Sequence, residues 1–303
     1  MTWRSKSSPR SPRPGRSYPA RSEDVARLHA HIEAARSGAG SVVTLTGTAG
    51  QGKSRLVREA RKLSGDVQVM TIRAEPYGSA TPYRPLRDPL RSVLGIDRGS
   101  NAEMAAALEK RLSKLAPDLL PMLPLIANVA HIDVEDTPEA AEIEPRFRRD
   151  RLTAVVASLI ERLLVEPMVL VIEDAHWMDE ASAHLLTHFL ATAAERPWAI
   201  IVTRRLEEGG LVPEGGEHLG IDELSEDEAE QLILDATPAT PLHPHEVQAI
   251  VERTGGNPLF IGEVLRIVQQ TGSIDELPDS LGSLVSTSID ALPPLTRKIL
   301  RYA

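Results

Sequence analysis

Apolar positions along the chain fall into short runs that are apolar throughout and longer stretches that are apolar on one side only. Val42-Val43-Thr44-Leu45-Thr46 is a β-branched run ending at Gly47, read as a buried strand. Lys53 to Leu63 follows, with Leu56, Val57, Ala60 and Leu63 at helical spacing. Val67-Gln68-Val69-Met70-Thr71-Ile72 alternates as a second strand does. Met168-Val169-Leu170-Val171-Ile172 and Trp198-Ala199-Ile200-Ile201-Val202-Thr203 are continuous runs, the pattern of strands covered on both faces. Val25, Leu28 and Ile32 share one helical face ahead of the first strand, with Ser22 as the expected cap. Arg146 to Leu164 and Ala181 to Ala194 are further helices. Strands alternating with helices predict an α/β domain built on a parallel sheet.

Two stretches break this rhythm. From about residue 75 to 145, Pro76, Pro82, Pro85, Pro89, Pro117, Pro121 and Pro124 separate short helical segments, which reads as a helical insertion. After Glu207 a loop with Gly209, Gly210, Gly215 and Gly216 leads to Ser225-Glu226-Asp227-Glu228, a capping box opening a helix with Ala229, Leu232 and Ile233 inward. Further helices are expected at His245 to Arg253 and Leu259 to Gln270, with nothing strand-like between. The expected divisions are a tail over 1–17, a core over 18–206, an all-helical lid over 207–275 and the start of another helical segment over 276–303. In that last segment Leu295, Ile299 and Leu300 form an apolar stripe that needs a partner, so a longer protein is expected.

Composition narrows the function. The 303 residues are 42% apolar but only 3% aromatic, so the core must be built from Ala, Val, Leu and Ile. The absence of cysteine excludes disulfides, thiolate nucleophiles and cysteine-ligated metals, and fits a reducing, cytoplasmic setting. No apolar run approaches a membrane span, and the N-terminus lacks the apolar stretch of a secretory signal. Residues 1–21 carry six basic residues and no acidic one, in a Ser/Pro/Arg-biased tail expected to be a solvated terminus. The remainder holds 28 basic against 43 acidic residues, which argues against direct nucleic-acid binding.

The chemistry sits at strand ends. Gly47-Thr48-Ala49-Gly50-Gln51-Gly52-Lys53-Ser54 satisfies G-x-x-x-x-G-K-[ST] between a predicted strand and a predicted helix. Glycines let the backbone fold around phosphate oxygens, and the loop amides with the following helix N-terminus supply positive potential. Lys53 is the candidate to neutralise the β and γ phosphates, Ser54 to ligate Mg²⁺, and Arg55 lies alongside. Glu173 and Asp174 follow an apolar strand, where a P-loop needs an acidic residue. Glu173 is assigned to the metal and Asp174 to polarising the attacking water, with a one-residue slip reversing the two roles. Thr203-Arg204-Arg205 ends the next strand, so Arg205 can sense the γ-phosphate. Asp179 is a candidate helix cap, and the other histidines, including the His184 and His188 pair, form no credible ligand cluster.

With those residues in place, the chain resembles the STAND class of signalling ATPases, P-loop switch proteins related to AAA+ ATPases. The resemblance rests on the P-loop, on Val169 to Asp179, on Thr203-Arg204-Arg205, and above all on Thr254-Gly255-Gly256-Asn257-Pro258-Leu259-Phe260-Ile261. That segment is similar to the G-N-P-L-F motif of the family's helical lid. Residues alone support only a helix start there, with Asn257 capping and Pro258 first; contact of Pro258 with adenine is what the resemblance implies. Where the family often opens on Gly-Arg-Glu, this chain has Ala20-Arg21-Ser22-Glu23. Pro82 to Leu90, and Leu277-Pro278-Asp279-Ser280-Leu281 as the join to a winged-helix segment, are similar as well. The implied fold is a P-loop NTPase core with a helical insertion, a helical lid and the start of a winged-helix-like segment. The implied function is a slow Mg-ATP-dependent switch using ATP, ADP and Mg²⁺. The expected partners are the nucleotide and a protein or effector domain, with nucleotide-dependent oligomerisation. The rival reading is a catalytically inactive ADP- or ATP-binding interaction module of a transcriptional or cyclase-linked regulator.

Overall fold

Five parallel strands form the centre of the molecule: β1 (Ser41–Thr46), β2 (Gln68–Arg73), β3 (Met168–Glu173), β4 (Trp198–Arg204) and β5 (Glu217–Gly220). A computed structural model of the chain describes residues 21–271 except 79, 97, 207, 208, 239 and 240. The tail expected over 1–17 and the winged-helix-like segment expected over 276–303 lie outside the described residues. Strand order is β2-β3-β4-β1-β5. The register pairs Thr46 of β1 with Arg204 of β4, and Ile172 of β3 with Val202 of β4. The carboxyl ends of β3, β4 and β1 are therefore neighbours, and the loops leaving them share one edge of the sheet.

The fully apolar runs form central strands because both sheet faces are covered. On one face Val43, Leu45, Val169, Val171, Ala199 and Ile201 pack with Leu28 and Ile32 of α1 (Ser22–Arg36) and Leu56, Val57 and Ala60 of α2 (Lys53–Leu63). The other face, with Leu170, Ile172, Ile200 and Val202, meets the larger helical layer. Between β2 and β3 that layer comprises α3 (Arg87–Leu94), α4 (Asn101–Leu115), α5 (Leu123–Ala130), the short α6 (Pro138–Ala141) and α7 (Pro145–Leu163). The prolines punctuate it: Pro138 and Pro145 open helices, where a missing N–H costs nothing, and Pro121 lies in the 3₁₀ turn Pro117–Met122. After β3, α8 (Glu180–Ala191) completes the layer, capped by Asp179, whose Oδ1 accepts the Ser182 N–H at 2.9 Å. The same oxygen accepts the Tyr83 N–H at 3.1 Å, so one buried carboxylate joins the insertion to the segment following β3. Burial raises the Tyr83 hydroxyl pKa from its ordinary value.

Three helices follow the sheet: α9 (Glu226–Ala236), α10 (Pro244–Thr254) and α11 (Pro258–Thr271). They enclose their own core of Leu224, Ala229, Ile233, Val247, Ile250, Phe260, Ile261 and Val264. The Ser225 capping box is formed, with Ser225 N–H donating to Glu228 Oε2 at 2.9 Å and Glu228 N–H to Ser225 Oγ at 3.3 Å.

Two local expectations differ from what is found. The stretch after residue 207 is not all-helical: β5 pairs with β1, adding a fifth strand to the core sheet. Glu217-His218-Leu219-Gly220 buries only Leu219, so an edge strand this short gives no periodic signal. Ser22 is the first residue of α1 and not its cap; Arg21 occupies the cap position, ion-pairing with Asp24 at 3.6 Å and donating to the Asp222 carbonyl.

Gly40 lets the turn after α8 close against the start of β1. A Cβ there would lie 1.8 Å from the Ala193 carbonyl oxygen and 2.1 Å from that of Arg196, both rigid backbone. Gly40→Ala is expected to cost about 1–3 kcal/mol, as overpacking does. Gly220→Ala, which meets nothing within 4 Å, should stay within about 0.5 kcal/mol of wild type. Urea unfolding of the two variants checks this, and equal stabilities would refute it.

Candidate functional site

The loop between β1 and α2 is wound around its own lysine. Gly52 takes φ +100° ahead of α2, in the left-handed region that glycine enters without cost. Lys53, the first residue of that helix, is buried, and its Nζ donates to the carbonyls of Gly47 at 2.6 Å and Thr48 at 2.7 Å. Gln51 is buried on the outer side, its Nε2 donating to Glu223 Oε1 at 2.9 Å, which ties the loop to the segment after β5. The amino end of α2, with its positive dipole end, therefore opens beside the lysine.

The two carboxylates ending β3 go to different places. Glu173 continues the alternation of Val169 and Val171 onto the face covered by α2. There its carboxylate is held by Arg61 at 3.0 Å and by Arg73 of β2, whose Nε lies at 2.7 Å. Asp174 leaves the strand in a left-handed conformation, φ +55°. Its N–H donates to Thr203 Oγ1 at 3.1 Å, so the ends of β3 and β4 are pinned together. The Arg205 guanidinium lies 6.0 Å from the Trp177 ring centroid, and the Arg205 backbone N–H donates to Nδ1 of buried His176 at 3.4 Å. Arg204 turns inward and reaches the Gly209 carbonyl at 3.4 Å, and burial lowers its pKa.

A cavity of about 570 Å³ opens where these elements meet the three-helix unit. It is lined by Ala49, Gly50, Gly52, Lys53, Ser54 and Arg55 from the loop and α2, by Asp174 and Arg205 from the strand ends, and by Pro258 of α11. Of the sequence-derived candidates, Gly47, Thr48, Gln51 and Glu173 are not among its lining residues. Glu173 is occupied by two guanidinium groups, and Asp174 is the carboxylate that shares the cavity with Lys53 and Ser54. Glu173, expected at the metal, therefore lies outside this cavity, and the adjacent Asp174 lies in it.

Leu232, Ala236, Leu259, Ile261 and Leu265, none of them expected as site residues from the sequence, give the cavity an apolar wall. Leu232 was visible only as part of a helical stripe, and nothing local in the sequence reveals that one edge of that stripe faces the loop. A polar link between the two units lies at Asn257. Its Oδ1 accepts the N–H of Leu259 at 3.0 Å and of Phe260 at 3.2 Å, capping α11, and its Nδ2 donates to the Ala49 carbonyl at 3.2 Å. Among the described residues no group of three or more His, Asp or Glu side chains gathers as a metal cluster, and no helix is long and apolar enough to cross a membrane. His184 pairs with Asp150 at 3.4 Å.

Strand order, the loop after β1 and the carboxylate after β3 define the class: a P-loop NTPase fold with a helical unit beside the carboxyl edge of its sheet. The chain belongs to the AAA ATPase domain family, whose model matches residues 18–202. A curated relative, an uncharacterized protein of Rhizobium meliloti, is 27% identical over 174 residues, covering 56% of this chain and 16% of the relative. The chain thus spans only a small part of that protein's length. Similar solved structures include a signal transduction ATPase with numerous domains and a tetratricopeptide repeat sensor from Pyrococcus horikoshii. That likeness has TM-score 0.44 and 17% identity, over 86% of this chain and 32% of the other. A RuvB variant of Thermotoga maritima is similar with TM-score 0.42 and 16% identity, over 92% of this chain and 74% of that one.

Proposed function

We propose that this chain is the ATPase module of a STAND-class signalling protein, binding Mg-ATP between the sheet edge and the three-helix lid and hydrolysing it slowly. The observation that carries this reading is the single cavity that contains Lys53, Ser54, Asp174, Arg205 and Pro258. The loop amides and the amino end of α2 receive the phosphates. Lys53 moves its ammonium from the Gly47 and Thr48 carbonyls, which accept it at 2.6 and 2.7 Å, to the β and γ phosphates. Arg205 senses the γ-phosphate from the end of β4. Pro258, with Leu232 and Leu265, offers an apolar wall for the base.

The residues present fit Mg²⁺: the Ser54 hydroxyl and the Asp174 carboxylate are hard oxygen donors lining the same cavity, as a small divalent ion bound with phosphates requires. The ion supplies charge neutralisation at the phosphate oxygens. Asp174 also serves as the group that orients and polarises the attacking water, with Thr203 fixing its backbone. Switching then follows from unequal affinity of the core-to-lid arrangement for ATP and ADP, since a ligand moves an equilibrium only by its differential binding. The chain's acidic body disfavours nucleic acid, so the partners are a protein or effector domain, with nucleotide-dependent oligomerisation, and the cysteine-free composition suits a cytoplasmic site of action.

Calorimetry with Mg-ATP and with ADP, joined to phosphate-release measurements, tests the reading. Both nucleotides should bind, with different affinities, and turnover should fall below about 1 s⁻¹, beneath the median for enzymes. Failure of both to bind would overturn it.

A further inference from the structure

We infer that Asn257 is a positioning residue that couples the phosphate-binding loop to the lid, through its own hydrogen bond to the Ala49 carbonyl and by orienting the Leu259 N–H that bonds the Gly50 carbonyl. The inference rests on the proposed nucleotide reading of the same site and goes beyond it, to how occupancy of the loop reaches the helices.

Two bonds join the units at this point. Asn257 Nδ2 donates to the Ala49 carbonyl at 3.2 Å, and the Leu259 N–H donates to the Gly50 carbonyl at 3.3 Å. The second bond is prepared by Asn257 as well, because its Oδ1 shares the Leu259 N–H at 3.0 Å and so fixes the first turn of α11. Pro258 has no N–H, which makes Leu259 the first backbone donor this helix can offer. Gly50 is fitted to the contact: at φ +87°, a Cβ there would lie 2.6 Å from Asn257 Oδ1 and 3.0 Å from Leu259 Cβ. The carboxamide thus caps the helix with its oxygen and holds the loop with its nitrogen.

The carbonyls it holds belong to peptide units whose other ends are the N–H groups of Gly50 and Gln51. Those are loop amides of the kind that receive phosphate. Hydrogen bonds through one peptide unit polarise each other, so an N–H engaged by an anion leaves its carbonyl a better acceptor. Phosphate on the inner side of the loop therefore strengthens the grip of Asn257 and Leu259 on its outer side, and α11 is drawn down as the loop fills. The lid responds to the phosphates without touching them.

The two jobs of the side chain can be separated. Asn257→Ser keeps an equally good helix cap, but serine is too short to reach the Ala49 carbonyl. Asn257→Asp also keeps the cap while replacing the donor with an acceptor. Hydrogen–deuterium exchange of both variants and wild type, with and without Mg-ATP, reads the outcome. Peptides covering 47–56 and 226–268 are followed, together with thermal unfolding.

Without nucleotide, both variants should exchange about five-fold faster in 47–56, the effect of losing one modest hydrogen bond, at an unfolding temperature close to wild type. With Mg-ATP, wild type should gain protection in both peptides. The variants should gain it in 47–56 but lose most of the gain in 226–268. Equal protection of 226–268 in wild type and variants would overturn the coupling role. So would unchanged exchange of 47–56 in the nucleotide-free variants, a comparison that needs no ligand. A wild type that binds no nucleotide removes the functional reading and with it the coupling. A faster-exchanging loop in the variants would then show only a structural contact.

Discussion

Lys53→Ala is expected to weaken Mg-ATP binding by roughly 100-fold, since one or two charge-assisted hydrogen bonds to phosphate are each worth about 1.5–3 kcal/mol. The side chain is buried, yet both of its described bond acceptors are loop carbonyls at 2.6 and 2.7 Å, so its charge is held within reach of the cavity by its own loop. Removing it leaves the exposed Thr48 carbonyl to water and the buried Gly47 carbonyl with one partner fewer, so the fold should lose about 1–3 kcal/mol. ADP lacks one of the phosphates Lys53 serves, so its affinity should fall less, by about ten-fold, and the preference between the two nucleotides should narrow. Lys53→Arg should not restore binding, because a planar guanidinium fork cannot occupy the space of a point charge enclosed by a tight turn. Calorimetry of the three proteins with each nucleotide at fixed Mg²⁺ measures these affinities. An alanine variant that binds ATP as wild type does would mean that the nucleotide does not sit on this loop.

How much of this could be read from the chain depended on whether the signal was local. β1, β3 and β4 were legible because strands covered on both faces must be apolar at every position, and Val169 to Ile172 and Ala199 to Val202 are buried without exception. The Ser225 capping box and the Pro258 helix start were legible because a cap is made by residues close together in the chain. β5 was not, since four residues with one buried side chain become a strand only by pairing with β1. The division of labour between Glu173 and Asp174 was not legible either. Glu173 is claimed by Arg73 and Arg61, which lie 100 and 112 residues away in sequence. Asp174 reaches the cavity through a left-handed φ that no periodicity announces. Asn257 shows the same limit within one residue. Its cap to Phe260 is a local pattern, whereas its bond to Ala49 spans 208 positions.

That separation of two adjacent carboxylates leads to the second large effect. Asp174→Asn should lower ATP turnover by about 10²–10⁴-fold, the range for losing a general base, while changing Mg-ATP affinity by less than about ten-fold. The substitution is unusually clean at this position. Asparagine tolerates the left-handed conformation as readily as aspartate does, and the tie from its N–H to Thr203 Oγ1 uses backbone only. What disappears is the charge that can polarise water and ligate a cation. Glu173→Gln is the matched control, one residue earlier and equally conservative in shape. It weakens the pairs with Arg61 and Arg73, whose side chains are 36% and 62% exposed, so the cost in stability should be near 1 kcal/mol. Turnover in that variant should stay within about ten-fold of wild type, because Glu173 is not among the residues lining the cavity. Single-turnover phosphate release from the two variants, each saturated with Mg-ATP, decides between the residues. Loss of turnover in Glu173→Gln with retention in Asp174→Asn would reverse the assignment. It would require the Glu173 carboxylate to leave both arginines when nucleotide binds.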